Sequence, residues 1–388
     1  MATFTFIAKG WVPGSALSLR PWTGRVAVAA AYDVRSKSVV ETLNNYYGTN
    51  ETTFRNFVNT TVAHNSTKTE PRSQRQYKSR IPTSYDKAAE AGLKGYPAAK
   101  YPHYLPTWDP NQKYPPLKPF DHHDRGRDAD PSFLELISKD VSVKHLSPTI
   151  GTEISGVQLS RLSAAGGKDQ LARYVSERKV VAFRDQDFCL PAYLRRGFPE
   201  VHLVHRAAGD RSSSVYFEAH TTSVAWHSDV TYVAQPPGIA LIYLLEKPET
   251  GGDTLFADTV QAYRRLSPAM QERLHGLTAT HSAVEQANAS KVRGGILRRE
   301  PIVSTHPIEI VGFKKKESAM LRKFLQDHIA TGADFHARMK WEDHSVIVWD
   351  NRNTAHTAIV DWEDGQRRHV ARLTSLGEKP YESPYAAS

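Results

Sequence analysis

Cysteine is almost missing from the 388-residue chain, Cys189 being the only one. That excludes an internal disulfide and any cysteine-rich metal cluster, and makes a reduced, intracellular setting the default expectation. No apolar run approaches the ~20 residues of a membrane-spanning helix, so a membrane is not expected as a partner. Acids are also scarce: 41 Asp and Glu face 50 Lys and Arg, for a net charge of +9. Such an excess raises nucleic acid as a partner. The basic residues are scattered, however, and no helix carries a one-sided basic stripe; small organic anions suit the same charge, and nucleic acid is not expected. The first 32 residues carry Lys9, Arg20 and Arg25 and no acid at all. This faintly presequence-like start keeps a mitochondrial location as the alternative to a cytoplasmic one. Asn-x-Ser/Thr triplets at Asn50, Asn59, Asn65 and Asn288 follow no signal-peptide pattern and are read as unused.

What is present suffices for a sizeable core, with 40% hydrophobic and 23% charged residues. Residues 1–130 read as a poorly ordered, proline-rich N-terminal extension. Within it "YPHYLPTWDPNQKYPPLKPF" (Tyr101–Phe120) suits an extended arm lying across a surface. Organised sequence begins near Ser132, so residues 131–388 form the expected catalytic domain. "TIGTEISGVQLS" (Thr149–Ser160) predicts a short strand and turn. The spacing of Leu171, Tyr174 and Val175 predicts a helix around Asp169–Glu177, and "VVAF" (Val180–Phe183) a buried strand. Further strands are expected at "GIALIYLL" (Gly238–Leu245), "TLFAD" (Thr254–Asp258), "SVIVWD" (Ser345–Asp350) and "RHVARLTSL" (Arg368–Leu376). Ser267 and Pro268 are a cap and first-turn pair opening a helix that Gly276 closes. Glu317–Ile329 is amphipathic. Short strands with a few outer helices predict a mainly β fold, a barrel or sandwich with helical insertions.

The chemistry lies in "WHSDVTY". If this stretch is a strand, His227 and Asp229, two apart, face one side and can grip one ion. His356 follows 127 positions after Asp229, just past another strand. Two imidazoles and a carboxylate on one face of a divalent first-row metal leave positions open for co-substrate and dioxygen. Downstream, "GQRRHVARLT" puts Arg368 and Arg372 four apart on a predicted strand, hence on one side. A surface pair of arginines is one reading; a pair of planar-oxyanion receptors beside the metal is the other.

The motifs "WHSDVTY", "QPPG", "GGDTLFADT", "VIVWDNRNTAHTA" and "GQRRHVARLT", in that order over residues 145–380, resemble the taurine catabolism dioxygenase (TauD/TfdA) family, with fungal sulfonate/alpha-ketoglutarate dioxygenases the nearest likeness. The resemblance implies a double-stranded β-helix (jelly-roll) core and an Fe(II)- and 2-oxoglutarate-dependent enzyme using O2. It assigns His227, Asp229 and His356 as catalytic iron ligands. Thr254 and Arg368 become 2-oxoglutarate contacts, and Arg372 a contact to the acid group of a small anionic organic substrate. The implied reaction hydroxylates an alkanesulfonate, taurine-like, at the carbon next to sulfur, releasing sulfite, aldehyde, succinate and CO2. Alkyl sulfates and aryloxyalkanoates are the alternative substrates.

Two apparent deletions depart from the family pattern. Near residues 189–199 the segment supplying a substrate-contacting histidine is missing, and His202 and His205 belong to the motif that follows. Near 308–311 the strand and Asn-x-x-Phe-Thr segment that wall the pocket are missing. Either coding segments were lost from the gene's exon assignment, or the chain is a catalytically impaired metal-binding paralogue. Both departures touch the pocket and spare the three ligands. The sequence leaves open the physiological substrate, a homo-oligomeric state and whether residues 1–130 fold.

Overall fold

Two stretches without any polar alternation lie at the centre of the fold. Val180–Phe183 is buried at every position, as is Val346–Asp350. A strand covered on both faces has no solvent side on which to place polar residues. The architecture around them comes from a computed structural model, which describes residues 3–5, 97–104, 118–163, 166–187, 201–206, 226–282, 306–362 and 365–382. In chain order the strands are β1 (Thr3–Thr5), β2 (Ser142–His145), β3 (Thr152–Ser155), β4 (Val180–Phe183), β5 (His202–Arg206), β6 (Pro237–Glu246) and β7 (Thr254–Asp258). They continue with β8 (Thr278–Ser282), β9 (His306–Ile310), β10 (His336–Met339), β11 (Val346–Asp350), β12 (Thr354–Ala358) and β13 (Arg368–Leu376). The helices are α1 (Gly167–Arg178), α2 (Thr259–Arg264), α3 (Pro268–Leu274) and α4 (Lys315–Thr331).

A seven-stranded sheet runs β2-β3-β4-β11-β6-β13-β5, and a three-stranded sheet runs β10-β7-β12. All neighbours are antiparallel except β3 and β4. The two sheets share one core: Phe256, Ala337 and Met339 of the smaller pack with Val180, Ala182, Ile242, Ile347, Trp349 and Val370 of the larger. The opposite face of the large sheet packs against α1 through Tyr174 and Val175, together with Leu136 and Tyr104. The expected mainly β fold with outer helices is therefore what forms. A further small sheet, β1-β8-β9, completes the described strands.

Local signals explain the helix boundaries. Asp258 accepts from the N–H groups of Val260 and Gln261 to start α2 directly from β7. Ser267 accepts from Met270 N–H at the head of α3, with proline in its first turn. Gly276, past the end of α3, has φ +73°, a conformation costly for any residue with a Cβ. The Pro-rich arm lies partly outside the described residues. Of Tyr101–Phe120, residues 101–104 and 118–120 are described, and Tyr104 packs, buried, onto the large sheet.

Candidate metal centre

The site starts from one rung of hydrogen bonding. His227 pairs with His356 of β12 as an isolated antiparallel bridge; each N–H donates to the other's carbonyl, at 3.0 and 2.8 Å. Residues opposite one another in an antiparallel pair carry their side chains to the same face. The two imidazoles accordingly lie 4.3 Å apart, centroid to centroid. The sequence expectation that His227 and Asp229 share a strand face is not met. After the rung the chain turns through Asp229 and Val230, and Val230 takes the left-handed φ of 52°. The carboxylate is brought beside the imidazoles by that turn, not by the pleat. His356 itself lies inside β12, where the sequence suggested a position beyond a strand.

The turn is pinned by a residue the sequence reading missed. Asn351 accepts from the Asp229 N–H at 2.7 Å and donates to the Asp229 carbonyl at 2.9 Å. Its amide thus pairs with a peptide as a neighbouring strand would. The signal was present as "WDN" at the end of β11, but side-chain bonds to backbone carry no periodicity to read. A second missed residue is His281 on β8, whose Nδ1 lies 2.9 Å from the hydroxyl of Thr231, two residues past Asp229.

The result is a compact donor set. His227 Nε2 lies 3.9 Å from Asp229 Oδ1, and His356 Nε2 lies 3.9 Å from Asp229 Oδ2. One ligand atom from each of the three falls within 4.8 Å of the others. Phe256 and Trp349, from the two facing sheets, hold the His356 ring between them at 5.5 and 5.2 Å. Burial, with His227 next, lowers His356 to about 3, so the ring stays neutral, as a metal ligand must be. For Asp229 burial acts to raise the carboxyl, but Arg372, His356 and His227 together outweigh it and hold it at about 2. Arg372 Nη1 donates to Asp229 Oδ1. Asp229 Oδ2 is buried and has no hydrogen-bond partner among the described residues. A buried carboxylate oxygen left unpaired costs stability and fits a cation in that place. Two imidazoles and one carboxylate suit a divalent first-row metal such as Fe(II).

Arg368 and Arg372 both point to the inner side of β13, as expected. Arg368 is buried; its Nε donates to the Gly252 carbonyl at 2.8 Å and its Nη2 to Thr254 Oγ1 at 3.2 Å. Burial lowers its guanidinium to about 10. Among the described residues no carboxylate lies within ion-pairing distance of it; the nearby Asp253 is engaged by Arg338 at 2.6 Å. Gly252 makes the approach feasible. Its φ is +72°, and a Cβ there would meet Arg368 Cδ at 3.3 Å and Pro248 Cγ at 3.0 Å.

Residues 189–199, where one deletion is expected, lie outside the described residues. At the other, His306–Ile310 forms β9 against β8. His202 is exposed, and His205 packs against His369 at 4.8 Å on the large sheet.

The sequence model of the Taurine catabolism dioxygenase TauD, TfdA family matches residues 142–374, which take in all six expected site residues. The chain belongs to the TauD/TfdA family. Among its relatives is the Alpha-ketoglutarate-dependent sulfonate dioxygenase of Saccharomyces cerevisiae, 39% identical over 73% of this chain and 79% of that protein. The Alpha-ketoglutarate-dependent dioxygenase cnsP of Penicillium expansum is 38% identical over 73% and 88%. The Alkylsulfatase of Acinetobacter baylyi is 29% identical over 64% and 88%. As a TauD/TfdA protein the chain is a 2-oxoglutarate-dependent non-heme iron dioxygenase.

Proposed function

We propose that this dioxygenase acts on small organosulfur anions, alkanesulfonates first and sulfate esters second, hydroxylating the carbon bonded to the sulfur group. The observation that carries the reading is Arg368: a buried guanidinium without a carboxylate partner among the described residues, hydrogen-bonded to Thr254, on the inner face of the strand that also carries Arg372. Such a cation calls for an organic anion. The backbones of Arg368 and Arg372 are about 13 Å apart at ~3.3 Å of strand per residue, too far for both to clamp one carboxylate. Two anions, one per arginine, fit better.

In this reading His227, His356 and Asp229 would hold Fe(II). Thr254 and Arg368 orient the far carboxylate of 2-oxoglutarate, and Arg372 holds the sulfur oxyanion. Phe256 and Trp349 exclude water from the His356 side. Fe(II), with 2-oxoglutarate and O2, supplies the oxidising chemistry that turns a C–H bond into C–OH. The hydroxylated sulfonate then parts into aldehyde and sulfite, with succinate and CO2 as the co-products. We read the two facing sheets as the double-stranded β-helix of this chemistry. The sulfonate dioxygenase and alkylsulfatase among the relatives support the substrate class.

The test is sulfite release from a panel of alkanesulfonates and sulfate release from alkyl sulfates, each with and without 2-oxoglutarate. The expected result is 2-oxoglutarate-dependent sulfite. Turnover confined to carboxylates such as aryloxyalkanoates would overturn the substrate class. Arg368→Ala should raise the 2-oxoglutarate KM by about 100-fold, equivalent to ~2.7 kcal/mol, with little change in the KM of the sulfur substrate. Equal losses in both would sink the division of labour between the two arginines.

A further inference from the structure

Arg372 reaches a metal ligand. Its Nη1 donates to Asp229 Oδ1, and its Nε is a buried donor without a hydrogen-bond partner among the described residues. One guanidinium therefore has one edge on the carboxylate that a metal needs and an unmet donor for something else. We propose that Arg372 couples anionic substrate to metal: it competes with the ion for the charge of Asp229 until an anion meets the guanidinium. The substrate arm of this proposal rests on the functional reading above; the metal arm does not.

Charge supports the competition. Among the described residues Asp229 is the carboxylate of the triad, whereas Arg368 and Arg372 bring two buried or mostly buried cations. Asp253, the other acid near Arg368, is taken by Arg338. The two guanidiniums outnumber the Asp229 carboxylate, so a divalent ion enters a site that is already positive. It leaves three charges in excess, which a dianionic co-substrate and a monoanionic substrate cancel. Each anion should then tighten the metal, and by linkage the metal should tighten each anion by the same factor. Arg372 is the residue through which the substrate's share passes, because the same side chain touches Asp229 directly. Asp229 Oδ2, left without a hydrogen-bond partner, is the atom still open to the ion. In this respect Arg372 is a positioning residue: it acts on the metal through Asp229.

The experiment uses the full chain stripped of metal, without oxygen and without 2-oxoglutarate. Mn(II) binding is followed from the EPR signal of the free aqueous ion, with and without ethanesulfonate. In the wild type, ethanesulfonate should tighten Mn(II) several-fold, up to about tenfold. Arg372→Gln should bind Mn(II) about tenfold more tightly than wild type in the absence of sulfonate, and should not respond to it. Mn(II) binding by Arg372→Gln that is equal to wild type or weaker overturns the proposal, since Arg372 would then support the ligand. The wild-type comparison needs no variant, so a poorly folding Arg372→Gln does not decide the matter. Calorimetry of ethanesulfonate alone separates the remaining outcomes. Sulfonate that binds yet leaves Mn(II) affinity unchanged overturns the coupling. Sulfonate that fails to bind overturns the substrate class proposed above, and the coupling is then judged on the variant.

Discussion

At the scale of residues, Asn351 does for Asp229 what an adjacent strand would do for an ordinary β residue. Its amide satisfies both the N–H and the carbonyl of the Asp229 peptide, and donates also to the Pro237 carbonyl at 3.2 Å. Asn351→Ala removes three hydrogen bonds to buried backbone groups, a cost of about 3 kcal/mol or more. The expected outcome is a lower melting temperature together with at least tenfold weaker Mn(II) binding. Intact metal affinity in a destabilised variant would reduce Asn351 to a structural role. Asn351→Asp tests the donor separately, since it keeps the acceptor but loses both N–H bonds. None of this was legible beforehand. His227 and Asp229 were, because ligand types at a short spacing leave a chemical trace, and His356, 127 positions on, was reached from its place near a strand and from the family likeness. The strand geometry read into "WHSDVTY" was wrong in mechanism, since a turn with a left-handed valine does the aiming. The sequence suggested Arg372 as an anion receptor, but its contact with Asp229, 143 residues away, left no sign there.

Elements show a second kind of stitching. Arg367, at the head of β13, donates to the Pro97 carbonyl and to His205, each at 2.8 Å. His369 donates to the Tyr104 carbonyl at 2.8 Å, and Lys100 N–H donates to Glu246 at 3.2 Å. These bonds lay residues 97–104 across the outer face of the large sheet. Arg367→Ala should release that arm, seen as faster hydrogen exchange of Tyr101 and Tyr104 while the β4 and β11 amides stay protected. Farther along, Arg352 joins Asp350 of β11, Asp124 and Ser176 of α1 at 2.5–2.9 Å. Removing it strands the fully buried Asp350 and should cost about 3–5 kcal/mol in urea unfolding. The central strands were readable, because Val180–Phe183 and Val346–Asp350 are runs that a sheet covered on both faces explains. The arm was legible only as one lying across a surface, since proline-rich, polar sequence does not show which carbonyls will pin it.

For the whole molecule, acid is the natural enemy. Burial leads the shifts of four histidines: His205 is lowered to about 2, His356 to about 3, and His281 and His369 to about 4. All four are neutral when folded, whereas in the unfolded chain they take up protons near pH 6.5. The stability they confer is complete above that pH and is lost as pH falls below it, by ~1.4 kcal/mol per unit for each imidazole well below 6.5. Against a total of about 5–15 kcal/mol, metal-free protein should melt markedly earlier at pH 5 than at pH 7. His369→Gln should flatten that slope; an unchanged slope would show that the imidazole titrates inside the fold. The rung between His227 and His356 has a consequence for assembly. It joins residues 129 positions apart, so closing it carries the loop-closure cost of a long-range contact. An ion seated there acts as a clasp across more than a hundred residues. It should slow unfolding far more than it speeds folding, and the loaded enzyme should outlast the bare one in a protease.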